Sequence, residues 1–270
     1  LGKVTGQPVG RLLGGRYRDR VKPYASLLMA EPGPLADEML RYRAKGFRAF
    51  KIGWGPFGRE SQIMDEAIIR AARDSIGAGS LLMVDAGGSD AFWPHGYKWA
   101  LRTADMLDAY DVRWFEEPLK PDDVDSYALL RQHAPLPIAG GEVLTRRQSF
   151  LPWLKAGAFD VVQPDVTKVG GITESRRIAW LAQSFGAQMI PHGWNTALGL
   201  AADLQLASAL PETNLVEYIA GSPYVDELKA GGWTLDQDGM LPIPETPGLG
   251  VSLDMDAVAR YTGETAWLDA

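Results

Sequence analysis

Residues 80–118 read SLLMVDAGGSDAFWPHGYKWALRTADMLDAYDVRWFEEP. The segment opens on a short apolar run, SLLMVDA, passes through an amphipathic stretch over 98–109, and closes on a second apolar run, VRWFEEP. Strand, helix and strand in that order, with nearly continuous apolar strands, describe parallel strands covered by helices. Each run closes on acid, Asp85 in the first and Glu116 in the second.

The unit recurs in both directions. Upstream lie YASLLMA from Tyr24 and AFKIGW from Ala49; downstream follow PIAGGEV from Pro137, VVQPDV from Val161, QMIPHG from Gln188 and LVEYIA from Leu215. Helical patterns fill intervals such as 34–45, 60–75 and 173–185. Eight strand-then-helix units is the number that closes a (β/α)8 barrel of the TIM type, which the sequence predicts over 24–230. An open doubly wound sheet would place a glycine-rich turn after the first strand, and none stands there. Residues 1–23 do not fit the repeat and lead into it; residues 231–270 read as a C-terminal tail that packs on the barrel and ends in a short helix.

With 46% hydrophobic residues in 270, the chain can bury one large core. No stretch of eighteen apolar residues is present, so no membrane span is expected. A net charge of −7 argues against nucleic acid as a partner, since a phosphate backbone selects a basic face. The lack of cysteine removes disulfides, thiolate zinc sites and cysteine nucleophiles together. No basic segment followed by an apolar one opens the chain, and the cytoplasm is the expected compartment.

The positions of the polar residues carry the functional signal. Lys51 sits on the second run, and Asp85, Glu116, Glu142, Asp165, His192 and Glu217 close the third to eighth, at successive gaps of 34, 31, 26, 23, 27 and 25 residues. Barrel enzymes work at the C-terminal ends of their strands, so these side chains are predicted to converge on one mouth. A single carboxylate there is more often a solvated loop residue or helix cap than a ligand; three at successive strand ends are not. Asp85, Glu116 and Glu142 offer hard oxygens without Cys or His among them, a set suited to Mg²⁺. Asp165 and His192 form a second group, in which the carboxylate fixes the imidazole tautomer and raises the basicity of its other nitrogen. Glu217 is expected to donate to a substrate oxygen if neighbouring carboxylates raise its pKa. His95, in the loop after the third strand, is within possible reach of substrate, whereas His133 reads as surface. Trp54, Phe57, Trp93 and Trp194 hint at a partly aromatic wall.

The runs AFKIG, LLMVDAGG, WFEEPL, IAGGEVLT, QPDVTKVGGITE, IPHGWNTALG and LVEY resemble the mandelate racemase/muconate lactonizing enzyme-like subgroup of the enolase superfamily, over essentially the whole chain. The resemblance implies an enzyme that removes the proton α to a carboxylate. Asp85, Glu116 and Glu142 would be its metal ligands, Asp165 and His192 its general-base dyad, and Glu217 an acid toward the enolate oxygen. It also implies a small carboxylate substrate, a homo-oligomer, and an N-terminal capping domain, to which residues 1–23 would be the connection and which is absent from this sequence. Racemases of this group carry Lys-x-Lys on the second strand; here the run is Lys51-Ile52-Gly53. Inversion needs a proton partner on each face, whereas elimination of water needs one base and one acid. The departure therefore favours a sugar-acid dehydratase, with Lys51 kept as a cation beside the substrate carboxylate or in a plain salt bridge. The alternatives are a racemase in which His95 or Glu117 replaces the missing lysine, and a metal-binding barrel without catalysis.

Overall fold

The structure is a computed structural model that describes residues 1–262; the last part of the tail, 263–270, lies outside the described residues. Two short helices, α1 (Gly2–Thr5) and α2 (Val9–Leu12), come first. Eight parallel strands follow: β1 (Arg20–Leu28), β2 (Ala49–Gly53), β3 (Leu81–Asp85), β4 (Val112–Glu116), β5 (Ile138–Gly140), β6 (Val161–Val162), β7 (Gln188–Met189) and β8 (Leu215–Ile219). Each is succeeded by a helix, in order α3 (Pro32–Ala44), α4 (Gln62–Ile76), α5 (Tyr97–Asp108), α6 (Val124–His133), α7 (Arg146–Ala156), α8 (Ile172–Ser184), α9 (Ala197–Ala209) and the short α10 (Pro223–Asp226). The repeat read from the sequence is this (β/α)8 barrel. No helix among the described residues is long and apolar enough to cross a membrane.

The hydrogen-bonded order is β7-β6-β5-β4-β3-β2-β1-β8. Polar side chains span the seam between its two ends. Gln188 Nε2 donates to Glu212 O at 2.7 Å and to Asn214 Oδ1 at 3.2 Å, and Thr213 Oγ1 donates to Met189 O at 2.9 Å. The tail contributes β9 (Leu241–Pro242), which pairs antiparallel with the start of β1 through Arg20↔Pro242 and Val21↔Leu241. That pairing carries β1 back to Arg20, ahead of the apolar run that marks it in the sequence. The tail's short helix is α11 (Met255–Tyr261).

Side chains alternate along each strand, which sorts them into two cores. Phe50, Ile52, Leu82, Val84, Phe115 and Val216 face outward and pack beneath the helices. Tyr24, Ala49, Met83, Trp114, Ala139 and Leu215 belong to a separate apolar cluster that fills the lumen. Two residues further along the same inward faces come Lys51, Asp85, Glu116 and Glu217, where a continued apolar plug would otherwise stand. The register sets them beside one another: Gly53 pairs with Asp85, Asp85 with Glu116, and Tyr24 with Glu217.

Candidate active site

Lys51 Nζ lies 2.6 Å from Glu116 Oε1, 3.0 Å from Glu217 Oε1 and 3.8 Å from Asp85 Oδ2. All four side chains are buried. Lys51 and Glu217 stand at the middle of β2 and β8 rather than at their ends. Inward orientation, not distance from the strand end, brings them to the site. Glu116 Oε2 also accepts from Trp114 Nε1 at 3.0 Å and Gln163 Nε2 at 2.7 Å.

Asp85, Glu116 and Glu142 each present a carboxylate oxygen within 4.8 Å of the others. Burial, then the charge of Glu116, pushes Asp85 well above the usual carboxylate range even with Lys51 nearby. Full ionisation of the three thus calls for more positive charge than Lys51 supplies. Their oxygen-only donor set and close spacing fit a metal ion.

The sixth and seventh units supply the second group. A backbone bridge joins Asp165 to His192, and His192 Nδ1 lies 2.9 Å from Asp165 Oδ2. Asp165 Oδ1 accepts from Thr167 N at 2.8 Å and from Thr167 Oγ1 at 2.5 Å. Burial works against the Asp165 charge, but His192 and Thr167 outweigh it and hold the pKa below the usual value. His192 Nε2 points to the carboxylate trio, 2.9 Å from Glu142 Oε2. Burial opposes the imidazolium, yet Glu217, Asp165 and Glu142 together raise its pKa to about 10.

Glu217 departs from expectation. Neighbouring carboxylates do not raise its pKa; despite burial, the pKa falls to about 2, because Lys51, His192, the Ser26 side chain and the Gly193 N–H all favour the anion. The Gly193 N–H donates to Oε2 at 2.6 Å, while Oε1 faces Lys51 and takes no hydrogen bond.

Part of this set opens onto a cavity of about 340 Å³. Lys51, Asp85, Glu142, Lys168 and His192 line its charged side, and Leu28, Trp54 and Trp194 its apolar side. Of the four aromatic residues read as a possible wall, Trp54 and Trp194 therefore reach the cavity. Phe57 and Trp93 are buried in the core between strands and helices. His95 does not line the cavity: its Nε2 is 2.5 Å from Gly58 O and its ring stacks on Trp99 at 4.3 Å. The loop after β3 folds back over the loop after β2 and holds His95 there. His133 is exposed at the end of α6. Glu117 is buried with φ 41° and does not line the cavity; burial and then Glu142 raise its pKa to about 7. Neither His95 nor Glu117, the two candidates to replace the second lysine, lines the cavity.

Gly53 is closed as well as empty. A Cβ built there would come within 2.8 Å of Asp85 Cβ. Sequence reasoning passed over Trp114, Gln163, Ser26, Lys168 and Asp203. Trp114 and Gln163 each stand two residues before a recognised site residue, and strand periodicity could have placed them on the same face. Lys168 Nζ reaches within 3.9 Å of Glu142 and 3.8 Å of Asp165. Asp203, on α9, is completely buried with no hydrogen-bond partner for either oxygen. No local pattern marks either residue.

A parallel barrel with a carboxylate trio facing a carboxylate–imidazole pair defines a class of metal-assisted acid–base enzymes. The sequence profile of the enolase C-terminal domain-like family matches residues 34–257, and the chain belongs to that family, in the mandelate racemase/muconate lactonizing enzyme-like group of the enolase superfamily. It is 35% identical over 276 residues to D-galactarolactone cycloisomerase of Agrobacterium fabrum, covering 96% of this chain and 70% of that enzyme. It is 32% identical over 289 residues to D-xylonate dehydratase of Haloferax volcanii, covering 98% and 67%. The crystal structure of 3,6-anhydro-D-galactonate cycloisomerase from Zobellia galactanivorans superposes with a TM-score of 0.86 at 34% identity, over 96% of this chain and 71% of that one.

Proposed function

We propose that this chain is the catalytic barrel of a Mg²⁺-dependent sugar-acid dehydratase, which removes the proton α to the carboxylate and expels the β-hydroxyl to give a 2-keto-3-deoxy acid. The observation that carries the reading is that His192, held by Asp165, opens onto the same cavity as Asp85 and Glu142 of the carboxylate trio, where the second strand offers Gly53 instead of a base. A small carboxylate fits beside Lys51, the buried lysine that lines the cavity.

Asp85, Glu116 and Glu142 would hold the Mg²⁺. When bound, the ion would supply positive charge that stabilises negative charge developing on the substrate carboxylate and disfavours the imidazolium form of His192. Asp165 fixes Nδ1 of His192 as the protonated nitrogen, leaving Nε2 to take the α-proton and return it to the departing β-oxygen. Lys51 donates to the substrate carboxylate. A carboxylate arriving there shares Lys51 with Glu217 and adds like charge, and both effects move Glu217 toward the acid form, with Oε1 available to donate. The expected setting is a cytoplasmic homo-oligomer.

A second reading takes its support from the two cycloisomerase relatives. In it the β-oxygen that leaves is a ring oxygen, so the ring opens and no water is released. A screen of acid sugars and their lactones, with and without Mg²⁺ and with semicarbazide to trap 2-keto products, separates the two by product mass. Turnover is expected only with Mg²⁺. His192→Asn should abolish turnover and α-proton exchange while sparing metal binding; activity surviving in that variant removes the dyad from the mechanism.

A further inference from the structure

Trp54 is held in an unusual way for a side chain at a cavity wall. It adopts the left-handed conformation, φ 61°, which costs a non-glycine residue on the order of 1 kcal/mol or more. Its backbone N–H donates to Asp85 O at 3.1 Å, tying it to the strand that carries an acid of the trio. Beneath the indole lies Gly87, where a Cβ would come within 2.8 Å of the ring. The strained backbone and the glycine under the ring both serve to set the indole at the cavity. Counted through the seam between β8 and β7, β2 and β7 lie three strands apart, and Trp54 and His192 line the same cavity from these two separate parts of the barrel.

We propose that Trp54 is the stereochemical determinant of the reaction: its indole covers the substrate face opposite His192 and excludes water there, so that the α-proton leaves on the His192 side and the C3 proton, supplied once Nε2 has been reprotonated by solvent, arrives on that side alone. Resting on the dehydratase reading, the proposal goes beyond it by naming what enforces one-sidedness. Gly53 removes the second base, but the missing base by itself leaves that face open to solvent. Water reaching it would deliver a proton to the carbanionic carbon, leaving hydroxide, and would yield an epimerised substrate or a scrambled C3 in the product. The face of an indole presents no transferable proton, because the ring N–H lies in the ring plane and points off its edge.

The test uses full-length protein with Mg²⁺ in D₂O and the acid sugar that turns over in the screen, comparing wild type, Trp54→Phe and Trp54→Ala. The wild type is expected to place deuterium at C3 of the product on one face, and Trp54→Phe to keep that preference. In Trp54→Ala the facial ratio should fall by at least about tenfold, about 1.4 kcal/mol of lost preference, and epimerised substrate should appear. Mg²⁺ titration of each variant checks that the trio is intact. A Trp54→Ala enzyme that binds Mg²⁺ and turns over with the wild-type facial ratio overturns the proposal, as does a wild type that scrambles C3. Absence of α-proton exchange or turnover in the wild type would instead count against the dehydratase reading.

Discussion

Replacing Lys51 by Met should destabilise the metal-free protein far more than a surface charge change would. Met keeps the unbranched bulk and removes the cation from among Glu116, Glu217 and Asp85. Loss of one partner from a buried ionic cluster costs about 3–5 kcal/mol. Glu217 gives a second route to the size of the effect. Its pKa falls from 4.5 to about 2, with Lys51 the largest favourable cause, and a drop of that size corresponds to about 3 kcal/mol. A carboxylate depressed in the folded state stabilises above its unfolded pKa and ceases to do so as pH falls through its folded pKa. The Lys51→Met deficit should thus be complete at pH 7 and shrink below about pH 4.5, where carboxylates left without a counter-charge can take up protons. Mg²⁺ should also reduce it, because positive charge returns to the cluster. Urea denaturation in EDTA at pH 7 and pH 4, repeated with Mg²⁺ at pH 7, measures all of this. A variant as stable as wild type at pH 7 in EDTA, or a deficit indifferent to pH, would refute the assignment of Lys51 as the cluster's counter-charge.

Gly53→Ala should weaken Mg²⁺ binding by about 10- to 100-fold, the usual effect of disturbing a ligand's surroundings, because the new Cβ would meet Asp85 Cβ at 2.8 Å. Wild-type affinity in a calorimetric titration would exclude that steric role, and Gly53→Lys should meet the same obstacle rather than create a racemase. Asp203→Asn should stabilise the protein increasingly as pH rises. Burial holds the Asp203 pKa well above 3.8, so the folded wild type keeps a proton that the unfolded chain releases, losing about 1.4 kcal/mol per pH unit up to the folded pKa. Urea midpoints at pH 5 and pH 8 report the difference; a gain equal at both would mean that Asp203 titrates normally.

Most of the fold was legible because each β-α unit is a local pattern repeated with the same phase. Strand ends carrying Asp85, Glu116, Glu142, Asp165 and His192 could be aligned by counting, and counting suffices when a barrel fixes the geometry. The protonation of Glu217 could not be read that way. Lys51, His192, Ser26 and Gly193 reach it from other units of the barrel, and the sign of the shift depends on their together outweighing burial. The place of His95 could not be read for a related reason: the loop that bears it is long, and its packing against Trp99 and Gly58 O follows from contacts rather than from spacing.

The order of residues along the chain determined which chemical groups would be present, on which strands, and that the second strand would lack a second base. These are one-dimensional properties, set by period and composition. Only the folded barrel decided which groups face inward together, that a Cβ at position 53 has no room, and that Trp54 lines the cavity with His192 while His95 and Glu117 do not. Distances of a few ångström between residues more than a hundred positions apart arise when the sheet curls, and charge and steric closure act at those distances.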